Sequence, residues 1–379
     1  MTSIRILPVE GGRDLKRFIR IPWEIYAGDP AWVPPLLQER RDFLNPKKNP
    51  YFEHADVRLF VAHRDGRPVG RISCQIDRLH NERHGEKTGF FGLFESERDP
   101  EVASALLHTA EVWLKSRGMD EIRGPFSLSI NEECGLLVHG FESPPFVLMG
   151  HNPPYYPGLV ERCGYQKAKD LFCWRYDSKR PVPEGPLQIA EEVRKYPGLT
   201  IREVDPKNLD RDVRILLDVF NSAWSHNWGF VPLTEAEIRK AAKDFKLILE
   251  PKLALIAEVD GKPAAISLAL PNLHEAIRDL NGRLFPTGIF KLLYRIKRKK
   301  IRSARLMLLG IKKEYRGPVL GGLSVLLYVE KHRRSQELGH WGGELSWTLE
   351  DNEKINTGIQ FMGGEHYKTY RIYEKRLSA

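Results

Sequence analysis

Two stretches of the 379-residue chain decide the fold: residues 307–334, MLLGIKKEYRGPVLGGLSVLLYVEKHRR, and residues 344–375, ELSWTLEDNEKINTGIQFMGGEHYKTYRIYEK. The first begins with an apolar run typical of a strand, passes through a basic turn containing glycine, and continues with helical spacing. The second predicts a strand, a helix led by an asparagine and a last strand. Together they predict the order strand, loop, helix, strand, helix, strand.

A faint internal repeat extends this pattern over the whole chain. Residues 59–73, LFVAHRDGRPVGRIS, and 253–267, LALIAEVDGKPAAIS, each place an Asp-Gly pair between two apolar runs. Asp-Gly accepts the positive φ angles of a tight turn, so each stretch predicts a β-hairpin that turns at Asp65 or Asp260. The same order of elements follows each hairpin, which predicts two halves of one architecture.

The predicted fold class is α+β, with two units that are each a mixed, mostly antiparallel sheet flanked by helices. Residues 177–186, DSKRPVPEGP, suit neither helix nor strand and predict a linker. The predicted domains are therefore residues 1–178 and 187–379. Residues 22–50, rich in proline and aromatic side chains, are expected to fold against the first half.

The composition restricts the class of protein. No stretch approaches the roughly 20 apolar residues of a membrane span, and the first residues lack the pattern of a secretory signal, so a cytoplasmic location is expected. The four cysteines are scattered and are expected to be reduced thiols. The net charge of +9 predicts attraction to polyanions, and the excess of basic residues is concentrated between Arg283 and Arg316.

The order of elements resembles the GNAT superfamily of acyl-CoA-dependent N-acyltransferases, most specifically over residues 306–377 and weakly in the first half. The resemblance implies a fold of tandem GNAT-like units and direct transfer of an acetyl or longer acyl group from CoA to an amine. It also implies that the strand and loop of residues 307–322 bind acyl-CoA. The cofactor-binding residues expected on this basis are Leu309, Ile311, Lys313, Arg316, Gly317, Gly321, Gly322, Leu323 and Asn352.

The chemistry of the loop agrees with this expectation without reference to the family. Bare backbone N–H groups, Arg316 and the positive end of a helix stand together after the strand, which suits a diphosphate. The alternative is a glycine-containing turn with solvated basic side chains. The loop departs from the family pattern RGxGxG because Val319 replaces the middle glycine and Pro318 lacks an N–H donor.

The corresponding loop of the first half is acidic, with the sequence ESERDPE at residues 95–101. A carboxylate about 4 Å from a phosphate costs on the order of 4 kcal/mol at an effective dielectric constant of 20, so this loop is expected to reject CoA. The first half would then contribute acceptor binding, a wall of the cleft, or stability alone.

Candidate catalytic groups follow from the need for an unprotonated amine and a proton for the departing thiolate. Glu344 is a candidate base, against the alternative of a surface carboxylate. The family often has a tyrosine general acid in the helix after the asparagine, but Ile359 stands at that position. Tyr367 or Tyr370 would have to replace it, although each also suits an ordinary strand position.

A second polar cluster is predicted in the first half, from SLSINEEC at residues 127–134 and MGHNPPYY at residues 149–156. Here His151 or Glu132 is a candidate general base, and Tyr155 or Tyr156 a candidate acid. A purely structural role is the alternative.

The basic segment 287–305, TGIFKLLYRIKRKKIRSAR, predicts an amphipathic helix. It would hold the CoA phosphates, an acidic acceptor or an anionic membrane surface, and a solvated surface helix is the alternative. Nucleic acid is disfavoured because no aromatic-interleaved basic motif occurs.

No metal is expected, since HNERH at residues 80–84 places its glutamate one position late for HExxH and has no third ligand. The predicted function is therefore an acyl-CoA-dependent N-acyltransferase with a small amine-bearing acceptor, for which a lipid-like molecule is one hypothesis. The alternative is a non-catalytic protein that binds acyl-CoA or a polyanion on a degenerate scaffold.

Overall fold

The structure, a computed structural model, describes residues 3–317 and 320–377. The chain divides into two compact units. The first contains Met1–Leu171, Leu280–Leu284 and Lys368–Ala379, and the second contains Phe172–Asp279 and Phe285–Tyr367.

In chain order, the elements that begin in the first unit are β1 (Ile4–Pro8), α1 (Gly12–Ile25), α2 (Leu37–Phe43), β2 (Ala55–Arg64), β3 (Arg67–Asp77), α3 (Arg78–His84), β4 (Thr88–Ser96), α4 (Pro100–Lys115), β5 (Glu121–Gly124), β6 (Leu136–His139), α5 (Tyr156–Arg162) and β7 (Gln166–Asp177). The remaining elements are α6 (Glu184–Arg194), β8 (Leu199–Glu203), α7 (Leu209–Ala223), α8 (Glu235–Phe245), β9 (Ala254–Val259), β10 (Lys262–Pro271), α9 (His274–Ile277), α10 (Gly288–Lys297), β11 (Ser303–Ile311), α11 (Leu323–Glu337), β12 (Gly342–Leu349), α12 (Glu353–Phe361) and β13 (Glu365–Arg376). Short 3-10 turns lie between some of them.

Both predicted hairpins are confirmed, as β2–β3 and β9–β10. At the first turn, Asp65 and Gly66 have φ angles of 51° and 80°, and at the second, Asp260 and Gly261 have 49° and 73°. Two successive positive φ angles are typical of the tight turn that follows the twist of antiparallel strands. The Asp-Gly pairs therefore form the turns that the sequence predicted.

The two units repeat one sheet order. In the first, β1, β2, β3 and β4 are antiparallel neighbours, and β5 then pairs with β4 in parallel. In the second, β8, β9, β10 and β11 are antiparallel neighbours, and β12 then pairs with β11 in parallel. Each parallel pair is joined by a crossover helix, α4 or α11, as a parallel connection requires. The predicted fold class, α+β with mixed, mostly antiparallel sheet flanked by helices, is confirmed.

Each crossover helix buries one apolar face against its own sheet. In α4 the buried side chains recur at helical spacing, with Val102, Leu106, Ala110 and Leu114 fully buried. In α11, Leu323, Leu326 and Leu327 fill the same role in a cluster with strands β9 and β10. Each fully buried leucine contributes roughly 1.5–3 kcal/mol of transfer free energy, so these faces hold the helices in place.

The division into units differs from the predicted domains, 1–178 and 187–379, in three respects, the first of which is that Leu280–Leu284 belong to the first unit. The boundary falls at residues 171 and 172, within β7, and the segment from Lys368 onward belongs to the first unit. Of the predicted linker 177–186, only residues 178–183 lie between regular elements, because α6 begins at Glu184. Order along the chain does not tell which sheet a late strand joins, and this explains the difference.

The expectation for residues 22–50 is confirmed. Phe43 and Leu44 lie in a buried cluster with Val61 of β2, Leu93 of β4 and Leu128. The segment therefore packs on the sheet of the first unit.

Candidate functional site

In the second unit, the parallel strands β11 and β12 pair only at their beginnings. The register runs from Ser303 opposite Gly342 to Leu306 opposite Leu345. Strand β11 continues to Ile311 with β10 on its other side, and no described strand pairs with its second edge beyond Leu306. Residues 306–309 are accordingly half-buried, although the strand lies inside the sheet. Leu309 and Ile311, expected to bind the donor through main-chain atoms, lie on this open part.

The loop after β11 carries the expected basic residues. A 3-10 turn covers Lys313–Tyr315, and Lys313 contacts the ring of His226. The Arg316 guanidinium is exposed and donates from Nε to the Ile311 carbonyl oxygen and from Nη2 to the Ala223 carbonyl oxygen, at 2.9 Å each. Pro318 and Val319, where the sequence departs from the family pattern, lie outside the described residues.

The helix after this loop begins with an uncapped N-terminus. Gly322 is the N-cap residue of α11, and no side chain caps the first amides. A Cβ at Gly322 would collide with Ile189 and Val193 of α6, whereas a Cβ at Gly317 would meet open space. Gly321 is exposed, whereas the Leu323 side chain is fully buried and the Leu323 N–H already donates to the Leu320 carbonyl oxygen at 2.9 Å.

Asn352 has a structural role in the described residues. It is the N-cap residue of α12, and its side chain accepts a hydrogen bond from the Ile355 N–H at 3.4 Å. Ile359, at the position of the missing tyrosine, is buried with Trp174 and Leu345.

Glu344 and Tyr367 are brought together. Glu344, at 1% exposure, is not the surface carboxylate that the sequence left open. Its Oε2 accepts a hydrogen bond from the Tyr367 hydroxyl, and its Oε1 accepts one from Ser346 Oγ at 2.5 Å. The buried Arg305 lies 3.9 Å from Glu344 and donates to Ser346 at 2.8 Å. Two hydroxyl donors therefore hold the buried carboxylate, and the Arg305 guanidinium lies close to it.

In the first unit, the equivalent parallel pair is β4 and β5, which pair from Thr88 to Phe90. Beyond this point the chain itself fills the divergence. The Phe126 N–H donates to the Phe91 carbonyl oxygen at 2.8 Å, and a Cβ at Gly92 would collide with the Phe126 carbonyl oxygen. All nine residues of β4 are buried. This unit therefore has no open strand edge equivalent to that of β11 within its described part.

The acidic loop of the first unit serves its own structure. Glu95 is buried and accepts hydrogen bonds from Arg71 at 3.3 Å and from the Tyr26 and Tyr156 hydroxyls at 2.8 Å each. Burial raises the pKa of Glu95, and the Arg71 guanidinium opposes that shift. Asp99 caps α4 by accepting from the Glu101 N–H at 2.8 Å. The helix end that would attract a phosphate is thus already neutralised.

His151 forms a buried pair with Asp29, its Nε2 lying 2.8 Å from Asp29 Oδ2. Burial lowers the pKa of His151, with Asp29 opposing. Burial alone would raise the pKa of Asp29, but the hydrogen bond from His151 lowers it. The imidazole is therefore neutral at pH 7, and its Nδ1 is buried without a hydrogen-bond partner in the described chain.

The other first-half candidates are held by the backbone. The Tyr155 hydroxyl donates to the Ser96 carbonyl oxygen at 2.9 Å, and burial raises its pKa to about 12. The main-chain N–H of Glu132 donates to the Ser129 carbonyl oxygen at 3.1 Å. Tyr26 and Arg71 were not predicted, and only the aromatic content of residues 22–50 pointed toward the first of them.

The described residues contain neither a group that could hold a metal ion nor a helix that could cross a membrane. Within residues 3–317 and 320–377, no three His, Cys, Asp or Glu side chains are grouped closely enough to hold a metal ion. Over the same residues, no helix is both long and apolar enough to cross a membrane.

The sequence is similar over nearly all of its residues to two bacterial proteins. It is 45% identical over 378 residues to the bacterial ceramide synthase of Caulobacter vibrioides, a match that covers 99% of this chain and 98% of that protein. It is 42% identical over 372 residues to protein YghO of Escherichia coli K12, covering 96% and 93%. No protein-family profile matches the chain.

Solved structures share the fold at low sequence identity. A tandem GNAT protein from the clavulanic acid biosynthesis pathway has a TM-score of 0.59 and 13% identity, covering all of this chain and 99% of that one. A GCN5-related N-acetyltransferase from Sphaerobacter thermophilus has a TM-score of 0.52 and 13% identity, covering 99% and 96%. The tandem GNAT fold implied by the sequence is confirmed.

Proposed function

Because the chain belongs to the N-acyltransferase family that includes the bacterial ceramide synthase of Caulobacter vibrioides, we propose that it joins a long-chain acyl group from acyl-CoA to the amine of a long-chain amino alcohol. A ceramide is the amide of a fatty acid and such an amino alcohol. The class of reaction, N-acyl transfer, agrees with the function predicted from the sequence. The choice of a lipid acceptor is the step beyond it.

One observation of the structure carries the proposal: β11 is open along the edge beyond Leu306. A carbonyl that accepts hydrogen bonds from strand N–H groups is polarised for attack, and Leu309 and Ile311 are the residues we assign to this task. The half-buried side chains of residues 306–309 give the same strand an apolar surface. An acyl chain suits that surface better than water does.

We assign the diphosphate of CoA to the loop after β11 and the start of α11. Arg316 is exposed, Gly317 leaves space beside the backbone, and the α11 N-terminus has no side-chain cap. Lys313, Gly321 and the main chain of Gly322 complete the assigned set, and Leu323 is left out because its N–H donates to the Leu320 carbonyl oxygen. The carbonyl oxygens that Arg316 now contacts leave guanidinium N–H groups for an anion, because the group has five donors.

The proton of the attacking ammonium requires an acceptor. An alkyl ammonium of pKa near 10.4 is neutral only in about one part in 10³ at pH 7. We assign the acceptor to Glu344, with the half-buried Tyr367 hydroxyl as the group that passes the proton to it. In this relay Tyr367 gives its proton to Glu344 as it takes one from the ammonium. The amine then attacks the thioester carbonyl, the C–S bond breaks, and the departing CoA thiolate takes the second proton lost by the nitrogen.

His151 is the competing assignment for the base. Its neutral ring and partnerless Nδ1 give it an available lone pair, and Asp29 fixes the tautomer that leaves Nδ1 unprotonated. Tyr155 has weaker support because its hydroxyl donates to a main-chain carbonyl oxygen and burial raises its pKa. For Asn352, its capping bond supports a role in positioning α12 rather than in direct donor binding.

The test is a reconstituted reaction. The purified protein is incubated with palmitoyl-CoA and a long-chain 2-amino-1,3-diol in neutral detergent, while free CoA thiol is measured and the amide is identified by mass spectrometry. The matched control is the same diol without the amine. Stoichiometric thiol and amide with the amine alone is the expected result. Turnover of acetyl-CoA with a short amine, but not of these substrates, would refute the lipid acceptor and leave the N-acyltransferase class intact.

A further inference from the structure

Helix α10 and the residues just before it carry large apolar side chains that the core does not cover. Phe285, Phe290, Leu293 and Tyr294 are 74, 71, 42 and 57% exposed. They are four of the eleven large exposed hydrophobic side chains in the described residues, and they lie within ten positions of one another. Such clustering marks a surface that meets another apolar phase.

The geometry of α10 excludes a simple core contact as the explanation. Leu292 is buried, and Ile289 and Ile296 are half-buried on the same inward face. Phe290, Leu293 and Tyr294 are spaced i, i+3 and i+4, which places them together on a second, outward face. A helix that only covers a protein core keeps that face polar.

Basic side chains lie next to this outward face. Lys297, Arg298 and Lys300 are exposed and form no ion pair within the described residues, whereas Lys291 and Arg295 share Asp279. The Arg298 guanidinium lies 5.8 Å from the centre of the Tyr294 ring. The positive charge is therefore available to an external partner and is directly beside the apolar side chains.

We propose that this surface, which we call the α10 surface (Phe285, Phe290, Leu293, Tyr294, Lys297, Arg298 and Lys300), binds an anionic lipid bilayer. Helices with an apolar face and adjacent bases lie in the plane of the lipid interface, with the apolar side chains among the acyl chains. Each unpaired Lys or Arg strengthens binding to an anionic leaflet about fivefold. A nucleic acid would use the charge but would leave the leucine and phenylalanine side chains in water, so the bilayer fits both features.

The inference rests on the proposed function in one respect. A long-chain amine resides in membranes, so an enzyme that acts on it gains from binding the membrane surface. The binding itself does not depend on the reaction. Vesicle binding and soluble turnover can therefore fail separately.

The experiment is co-sedimentation of the full chain with two kinds of vesicle, pure phosphatidylcholine and phosphatidylcholine with about 30 mol% phosphatidylglycerol. Two variants test the two features, K297E/R298E/K300E for the charge and F290S/L293S for the apolar face. The matched control, K207E/K243E/K262E, reverses three exposed bases elsewhere in the second unit that form no ion pair with the described residues. Turnover is measured in parallel with substrates in neutral detergent.

We expect the wild type to prefer the anionic vesicles, and each α10 variant to lose at least tenfold in partition coefficient. The control variant should lose less than threefold, and turnover in detergent should stay within twofold of wild type for all three. Equal partition into both vesicles, or full binding by the α10 variants, would overturn the proposal. A single-stranded oligonucleotide could also displace the protein from vesicles. If its binding required Lys297, Arg298 and Lys300 but not Phe290 and Leu293, the proposal would be overturned. If the wild type binds vesicles but forms no amide in detergent, the proposed function fails while this inference stands.

Discussion

The two units have equivalent pairs of parallel strands, but only one of the two pairs leaves a strand edge open. In the second unit, β11 leaves β12 after Leu306 and its next residues are half-buried, whereas in the first unit Phe126 occupies the divergence between β4 and β5. Gly92 permits this closure, because any side chain there would collide with the Phe126 carbonyl oxygen. One architecture thus supplies an open edge in one copy and a closed, buried one in the other.

The N-termini of the two crossover helices, α4 and α11, also differ between the units. The N-terminus of α4 is capped by the Asp99 carboxylate, while that of α11 follows a basic loop and begins at Gly322 with no side-chain cap. An uncapped helix start beside an arginine suits an anion, and a capped one beside carboxylates repels it. The comparison supports the proposal of an acyl-CoA site in the second unit, and the following variants test that proposal.

The largest effect is expected for Glu344→Gln. Loss of the proton acceptor should lower kcat by about 10²- to 10⁴-fold without weakening acyl-CoA binding. Steady-state kinetics and a direct titration of palmitoyl-CoA measure the two quantities. Glu235→Gln, at an exposed position of α8, is the control and should retain wild-type kcat. A Glu344→Gln enzyme within fivefold of wild type would remove Glu344 from the reaction.

Glu95→Ala should act on stability instead. It leaves the buried Arg71 guanidinium without its carboxylate, which costs about 3–5 kcal/mol of unfolding free energy. Urea denaturation measures the loss. Glu97→Ala is the neighbouring control, since its pair with Arg67 is solvent-exposed and should cost under about 1 kcal/mol. If both variants lost the same unfolding free energy, the buried Glu95 would have no structural role beyond that of the exposed loop carboxylate.

Arg316→Glu should weaken acyl-CoA binding at least tenfold, about 1.4 kcal/mol, because an exposed positive charge in the donor loop becomes negative. Isothermal titration with a non-hydrolysable acyl-CoA thioether gives the dissociation constant. Lys243→Glu makes the same charge change at an exposed site on α8 and should change the dissociation constant less than twofold. Unchanged affinity in Arg316→Glu would exclude the loop after β11 as the diphosphate site.

His151→Gln should lower kcat/KM less than tenfold if the base lies in the second unit. The glutamine amide can still donate to Asp29, but the ring lone pair is lost. Because burial lowers the pKa of His151, the wild-type ring is already neutral above its ordinary pKa, near pH 6.5. The kcat/KM profiles of wild type and variant should therefore run parallel from pH 7 to pH 9. A loss beyond about 10²-fold with a changed profile would transfer the base to the first unit.

The smallest effect is expected for Asp99→Ala, which removes the α4 cap. Cap loss costs about 1 kcal/mol of unfolding free energy, and the filled divergence at Phe126 should still prevent donor binding. Thermal unfolding and a second-site titration of acyl-CoA check both expectations. Glu101→Ala is the matched neighbour without a cap bond. If Asp99→Ala created a second acyl-CoA site, the Asp99 cap alone would be what prevents acyl-CoA from binding to the first unit.

Local features of the fold were predictable from local sequence. The Asp65-Gly66 and Asp260-Gly261 turns follow from backbone preferences of two adjacent residues, and the apolar spacing in residues 100–117 predicted α4 within two residues of its end. The contrast between an acidic and a basic loop was also readable, because charge is a property of the residues themselves. The order of elements then implied the GNAT fold.

Pairings across long separations were not predictable. The Asp29–His151 contact joins residues 122 positions apart, and the burial of Glu344 beneath Tyr367 depends on where β12 and β13 lie. In the sequence, Asp29 is one residue of the proline-rich segment 22–50, and Glu344 suits both a catalytic base and a surface carboxylate. Neither choice had a local signal.

By itself the sequence determined the repeated order of elements, the two turns and the sign of charge after each crossover strand, since these depend on backbone preference and composition within a few residues. Only the tertiary structure decided which strand divergence is open, which carboxylates are buried, and that the chain from Lys368 onward belongs with the first unit. Burial and pairing are set by the summed packing of distant segments, and no short window of sequence contains that information.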